Sequence, residues 1–176
     1  MPLLVATVST PIGPLEVVTK GGILCGITFE GRGASTRAWM ERRFGEMAIE
    51  QHDSLGEVTD RISAYFAGDV GAVDALPVDT GGTTFQRRIW EALRTIPPGK
   101  TISYGELASK IWRPSACRAV GTAAGRNPIP IVLPCHRVIS VDGKIGGYAG
   151  GLDRKRWLLS HEQGQTDMGS GLSFQL

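Results

Sequence analysis

The sequence predicts an α/β chain of the α+β kind: an N-terminal antiparallel sheet with helices, then a mainly helical part with a helix-turn-helix. Three observations predict it. The first thirty residues hold three β-rich runs, LLVATVST, PLEVVT and ILCGITFEG, separated by the turn signals PIGP and KGG. From Ser35 onward, apolar residues recur at helical spacing. Charge divides the same way: residues 1–83 hold 6 Lys/Arg against 11 Asp/Glu, and residues 84–162 hold 13 against 5.

The opening runs suit an antiparallel meander. STRAWMERRF and SLGEVTDRISAYFAG follow as helices; in the second, Leu55, Val58, Ile62, Tyr65 and Phe66 share one face and Gly68 supplies a stop. DTGGTT at 79–84 is the linker, so residues 1–80 and 81–165 are expected as two domains, with 166–176 as a flexible tail. In TTFQRRIWEALRTIPPGK, Thr84 can cap a helix with an apolar stripe of Phe85, Ile89, Ala92, Leu93 and Ile96, ended by Pro97-Pro98-Gly99. Ser103 and Glu106 have capping-box spacing, so a short helix should start at Tyr104. After the break at Arg113-Pro114, a third helix is expected from Ser115 to Ala124, closed by Gly125.

That third helix has two unlike faces. Ala116, Ala119, Val120 and Ala123 lie on one side; Arg118, Gly121, Thr122 and Gly125 fall opposite, by the 100° step per residue. Two short helices with a tight break, the second small inward, are the sequence form of a helix-turn-helix. Glycine costs a helix about 1 kcal/mol relative to alanine, so glycines on its outer face need a reason. Close approach of another backbone is one; packing under a loop is another. A smooth face with one projecting arginine suits a nucleic-acid groove, and the basic second half suits a polyanion. Attraction between the acidic and basic halves explains the charge split equally well.

Composition narrows the class. No apolar run approaches the ~20 residues of a membrane span, and MPLLVATVST has no basic segment before its apolar stretch, so a cytoplasmic protein is expected. Cys25, Cys117 and Cys135 are odd in number and widely spaced, which argues against a disulfide framework. No CxxC pair accompanies the three histidines, His52, His136 and His161, so no metal and no cofactor are expected; a Cys-His-His cluster assembled in three dimensions stays open.

Candidate chemistry centres on Pro134-Cys135-His136-Arg137. A cysteine after an apolar strand is most often a small buried hydrophobe. As a nucleophile it needs a base or positive charge, because a thiol near its ordinary pKa of ~8.5 is mostly protonated at neutral pH. His136 and Arg137 supply both types, yet neighbours on a strand point to opposite faces. A water bridge between sulfur and imidazole, with an acid orienting the other ring nitrogen, resolves this. Glu162 is a candidate acid, and spacing alone does not select it from the 17 Asp and Glu residues. GKIGGYAGG at 143–151 reads as a mobile loop placing Tyr148 over a flat ligand, or as a surface loop with Tyr148 packed inward; it has neither Walker nor Rossmann spacing.

PCHRVI, preceded by RAVG (118–121) and NPIPIVLP (127–134) and followed by GGYAGG and RKRWLLSHE, resembles the O6-alkylguanine-DNA alkyltransferases, also called methylated-DNA–protein-cysteine methyltransferases, nearest their constitutive bacterial type. The likeness runs from about Thr84 to Glu162 and more loosely through STPIGPL and AYFAG. PCHR alone is moderately specific; five segments in this order are highly specific.

The resemblance implies a ribonuclease-H-like N-terminal sheet, and a recognition helix entering the minor groove, which suits the small outer face of helix 115–124. It implies that Cys135 accepts the alkyl group, His136 deprotonates it through a water, and Glu162 stands behind His136. Asn127 matches a residue bracing the turn, Arg118 the arginine that fills the stack when the base is turned out, and Tyr104 the tyrosine that crowds the phosphate and protonates the departing base. Tyr148, Ala149, Gly147, Gly150 and Pro130 are the expected base pocket. Arg118, Tyr104, Arg113, Gly105, Gln86, Gly121 and Thr122 are the expected DNA contacts. The implied partner is double-stranded DNA containing O6-alkylguanine, with O4-alkylthymine a further candidate, met by a monomer without a membrane or an obligate protein partner. The implied reaction is one alkyl transfer that ends the protein's working life.

Two positions depart from the pattern. Ala149 stands where some relatives have serine, and Cys117 where a small residue such as alanine is usual; packing is its expected role, with a second thiol near DNA the alternative. Two other classes compete. A Cys135–His136 hydrolase would turn over without DNA, and a DNA-binding module with a structural cysteine would form no covalent product.

Overall fold

The computed structural model describes residues 1–29 and 33–164, without the side chains of 33–37. The tail expected at 166–176 lies outside the described residues.

Strands β1 (Leu3–Val8), β2 (Leu15–Lys20) and β3 (Ile23–Phe29) form the antiparallel meander. A fourth strand, β4 (Ile49–Gln51), runs parallel beside β1 and gives the order β3-β2-β1-β4. Sequence reading does not foresee it, because three residues with two exposed carry no period. β1 and β2 read as nearly continuous apolar runs because both sheet faces are covered. Leu3, Val5 and Val18 pack with Met40 of α1 (Gly33–Phe44) on one face. Val8, Leu15 and Val17 pack on the other with Val58, Ile62, Tyr65 and Phe66 of α2 (Glu57–Phe66). On β3, Gly26 pairs with Val18 and Leu24 with Thr19, so Cys25 bulges from the ladder. That extra residue resets the alternation and lets Leu24 join Ile27 and Phe29 in one core.

In the second half, α3 spans Thr84–Leu93, and its cap is Thr83 rather than Thr84. Thr83 Oγ1 accepts from Gln86 N at 3.2 Å while Gln86 Oε1 accepts from Thr83 N at 2.9 Å. Such a cap is worth about 1 kcal/mol. The capping box of Ser103 and Glu106 starts α4 (Tyr104–Lys110) as expected. The third helix is regular only from Cys117: a 3-10 turn at Pro114–Ala116 precedes α5 (Cys117–Gly125). Its buried residues are Val120, Ala123 and Ala124; Ala119, expected inward, is exposed, because at 100° from Val120 it falls outside the arc those three residues span. Trp90 Nε1 fixes α5 on α3 by donating to Ala123 O at 2.9 Å.

Two short strands, β5 (Ile102–Ser103) and β6 (Val138–Ile139), pair in parallel and tie the start of α4 to the chain just after Cys135. The last described helix, α6 (Leu152–Glu162), docks on α2: Trp157 packs on Phe66 at 5.7 Å between ring centroids, and His161 Nε2 lies 2.7 Å from Tyr65 O. A single apolar core therefore runs through both halves. Among the described residues, no helix is long and apolar enough to cross a membrane.

Candidate active site

Cys135 does not lie on a strand. After Pro134 the chain makes a 3-10 turn, Cys135–Arg137, so strand alternation does not govern its neighbours. Asn127 braces the approach to that turn. Its Nδ2 donates to Leu133 O at 2.6 Å and to Cys135 Sγ at 3.2 Å, and its Oδ1 accepts from Ile129 N at 2.9 Å. Between those anchors, Ile131 is buried at a φ of 77°. A β-branched residue there costs on the order of 1–3 kcal/mol and persists only when its surroundings hold it. Burial pushes the Cys135 thiol above its ordinary pKa; the Asn127 hydrogen bond and the charge of Lys155 pull against that without overcoming it.

Behind the cysteine, His136, Arg137 and Glu162 are buried together. Glu162 Oε1 is 2.7 Å from His136 Nε2 and accepts from Arg137 Nη2 at 2.8 Å and Tyr65 Oη at 2.8 Å. Its Oε2 accepts from Arg137 Nε at 2.9 Å and Gly99 N at 3.1 Å. Burial alone would raise the Glu162 pKa, but the hydrogen bonds and charges of His136 and Arg137 hold it well below the carboxylate range. A carboxylate only accepts, so His136 carries its proton on Nε2. Nδ1 is then the basic nitrogen, and it is buried with no hydrogen-bond partner among the described residues. Burial keeps this imidazole neutral by lowering its pKa against the pull of Glu162.

Arg137 is therefore not the cation beside the thiol that sequence reading offered. Its guanidinium is spent on Glu162 and on Ile96 O. The cation acting on Cys135 is Lys155, fully buried on α6, whose Nζ donates to Val138 O at 2.6 Å and Gly147 O at 3.1 Å. Burial draws its pKa from 10.5 down to about 8. A signal for it exists in the sequence: Lys155, Leu158 and Glu162 stand at i, i+3 and i+7, one helical face.

Cys135 opens on a cavity of about 510 Å³ also lined by Tyr104, Gly121, Asn127, Pro130 and residues 147–150. That volume falls in the usual range for small-molecule sites. The expected pocket residues are thus brought together. Tyr148 sets its ring edge-on to Phe29, 5.9 Å between centroids, and its Oη is buried without a hydrogen-bond partner among the described residues. Gly150 has to be glycine: a Cβ there would lie 2.6 Å from Phe29 Cε2. The other wall comes from the first half, through Gly26, Ile27, Thr28, Phe29 and Trp39, which sequence reading did not include. Tyr104 stays a protonated phenol; burial raises its pKa, helped by Cys135 and Cys117.

Of the residues expected at DNA, Gln86, Arg118 and Thr122 line a second, shallower concavity with Cys117, Ala119 and Arg126. Gln86 spends its amide oxygen on the α3 cap. Gly121 faces the Tyr104 ring rather than open solvent: a Cβ on it would sit 3.7 Å from Cδ1. Gly105 is half-buried beside Ser103, and Arg113 is exposed at the helix-turn-helix break, outside both concavities. Cys117 is exposed rather than packed. No group of three or more His, Cys, Asp and Glu side chains is placed to hold a metal among the described residues.

Comparison with known proteins agrees in both halves. Residues 84–164 match the family described as 6-O-methylguanine DNA methyltransferase, DNA binding domain, and residues 3–80 the ribonuclease-like domain of the same methyltransferase. The methylated-DNA–protein-cysteine methyltransferase of Shigella flexneri is 44% identical over 169 residues, covering 91% of this chain and 95% of its own length. That of Mycobacterium tuberculosis is 42% identical over 165 residues, covering 91% and 92%. The crystal structure of Mycobacterium tuberculosis OGT in complex with DNA superposes with a TM-score of 0.78 at 38% identity, over 94% of this chain and 96% of that one. The O6-methylguanine-DNA methyltransferase of Pyrococcus kodakaraensis gives 0.71 at 27%, over 91% and 98%. With family matches over both halves and relatives above 40% identity along nine-tenths of its length, the chain belongs to the 6-O-methylguanine DNA methyltransferase family.

Proposed function

We propose that this protein repairs DNA by taking the alkyl group of O6-alkylguanine, in duplex DNA, onto Cys135, once per molecule. One observation carries the reading. Cys135 lines a cavity of ligand size while the adjacent imidazole has one nitrogen held by a carboxylate and the other, basic one unclaimed by protein.

The duplex hides the alkyl carbon, so the nucleotide must be turned out into the cavity, at a cost of a few kcal/mol. Arg118, exposed on α5, takes the vacated place in the stack. The thiol proton passes through a water to His136 Nδ1, and Glu162 stabilises the imidazolium that forms. The thiolate attacks in line: an S–C bond forms, the C–O6 bond breaks, and the electron pair leaves with guanine. Tyr104, kept protonated, gives the departing base its proton, as general acid catalysis requires. Tyr148 Oη offers the base a side-chain hydrogen bond, which the methyl group of Ala149 does not. Because burial keeps Cys135 a thiol at rest, its proton leaves only as transfer proceeds. The thioether is not reversed by reducing thiols, so the protein is consumed. The same reading divides the chain into domains at 80/81, places it in the cytoplasm, and lets it work as a monomer without a cofactor.

The test is intact-protein and peptide mass spectrometry after incubation with a duplex holding one O6-methylguanine. One methyl on the peptide containing Cys135, saturating at one equivalent and absent in Cys135→Ser, is expected. No added mass on folded protein refutes the reading and returns Cys135 to a hydrolytic or structural role.

A further inference from the structure

Among the described residues, only two that are not glycine have positive φ: Ile131, buried in the core, and Trp112, at 61°. Trp112 is 84% exposed, so no packing holds it there. Its place is the left-handed residue that ends α4. Trp112 N donates to Ser109 O at 3.0 Å and Arg113 N to Ala108 O at 2.9 Å, the two hydrogen bonds of a Schellman cap. Glycine is the usual residue at that position, because a Cβ is disfavoured in the left-handed region. A large aromatic side chain is thus held in a backbone state that disfavours it and shown to water, which disfavours it again. Neither is compensated inside the protein.

The surroundings say what would compensate. From Leu107 to Val141 the chain has no Asp or Glu and carries Lys110, Arg113, Arg118, Arg126 and Arg137. The Arg88 side chain reaches across to the same turn, donating to Ile111 O at 3.3 Å. From Trp112 to Ala119 every residue is exposed except the half-buried Ala116, so one acid-free strip runs from the indole past Arg113 to Arg118. A flat ring with one N–H donor, flanked by guanidinium groups, is built to lie on a sugar–phosphate edge, its face on deoxyribose and its N–H toward phosphate.

The geometry points to Trp112 as a DNA-backbone contact that extends the binding surface from the recognition helix across the helix-turn-helix break. This inference rests on the DNA reading above and names a contact outside the set expected from sequence.

Trp112→Gly removes the ring and relieves the backbone, so folding and binding should move in opposite directions. Thermal melting of the full-length variant should rise by about 2–4 °C. Its affinity for an undamaged duplex, by fluorescence anisotropy, should fall about 5–10-fold, in line with the loss of one ring packed on the sugar–phosphate edge and its N–H hydrogen bond. Trp112→Phe should recover most of that affinity. Methylation from the free base O6-methylguanine should be unchanged, since Trp112 is outside the cavity. Duplex affinity within roughly twofold of the parent, the ordinary effect of a surface change, overturns the inference while leaving the DNA reading intact. Trp112-dependent self-association with unaltered duplex affinity overturns it in favour of a second copy of the chain. A parent that neither binds duplex nor gains a methyl ends both readings together.

Discussion

Glu162→Gln tests the buried hub directly. Five donors converge on two carboxylate oxygens: Tyr65 Oη, His136 Nε2 and Arg137 Nη2 on one, Arg137 Nε and Gly99 N on the other. An amide keeps one acceptor oxygen and turns the other into a donor. In its best orientation it satisfies three of those five groups and faces Arg137 Nε and Gly99 N with hydrogens. It also leaves the Arg137 guanidinium, 2% exposed, without its counter-charge. Breaking a buried pair in this way costs about 3–5 kcal/mol. At ~2–4 °C per kcal/mol for a chain of this size, melting should fall by roughly 6–20 °C. The pH dependence has a definite sign. Because the folded pKa of Glu162 is depressed, its contribution is complete above the unfolded value of about 4.3 and is lost as pH falls through the folded value. His136, held neutral, adds a loss of stability as pH drops below about 6.5, where the unfolded chain takes up a proton first. The parent's melting temperature should therefore decline in acid, and the variant should lack the carboxylate part of that decline. Its Cys135 should also react with alkylating agents more slowly, with a higher apparent thiol pKa, because the imidazolium has lost its stabiliser. Calorimetric scans at several pH values and a thiol-alkylation pH profile read both effects. A melting change below about 2 °C, with the profile unmoved, would refute the claim that this carboxylate organises the site.

Two further changes separate the groups acting on the sulfur. Asn127→Ala removes the hydrogen bond to Cys135 Sγ and both anchors around Ile131; it should cost about 1–3 kcal/mol in denaturant unfolding and raise the thiol pKa. Lys155→Met should raise the thiol pKa as well, but with a different stability signature. The folded parent loses its Lys155 proton near 8, before the unfolded chain does near 10.5, so the parent gains stability across that window as pH rises; the variant should not, by denaturant midpoints measured through it.

Much of this was legible without coordinates, for reasons that differ by element. The meander, α2 and α4 were visible because their signals are local: turn residues, one apolar stripe and an S-x-x-E box act within a few positions. β4, β5 and β6 were not, since two- or three-residue strands owe their existence to a partner elsewhere in the chain. The α3 cap slipped by one because Thr83 and Thr84 are chemically alike, and only the reciprocal bond to Gln86 separates them. At the site, Cys135, His136, Asn127, Tyr104 and Tyr148 could be named from motif order. Arg137, two residues after the thiol in sequence, turns away from it because the buried Glu162 carboxylate takes its guanidinium, and nothing local in the sequence signals that turn. Lys155 hid between Arg154 and Arg156, where a basic run reads as a solvated face.

The contribution of the first half was the least visible part, and it bears on the chemistry. The five most specific motif segments fall after Thr84, which makes the sheet look like an accessory. Yet Tyr65, on α2, donates one of the three hydrogen bonds to Glu162 Oε1, and burial together with the Glu162 charge keeps that phenol protonated and able to donate. β3 meets the active-site approach through Ile27 N, which donates to Pro128 O at 3.0 Å, one residue from Asn127. Phe29 and Trp39 line the same cavity as Cys135. Glu162 is thus fully satisfied, and the cavity walled on both sides, only when the two halves are docked. The single core running through them is what enforces that docking, so the sheet belongs to the active site in the same physical sense as the helix that carries Glu162.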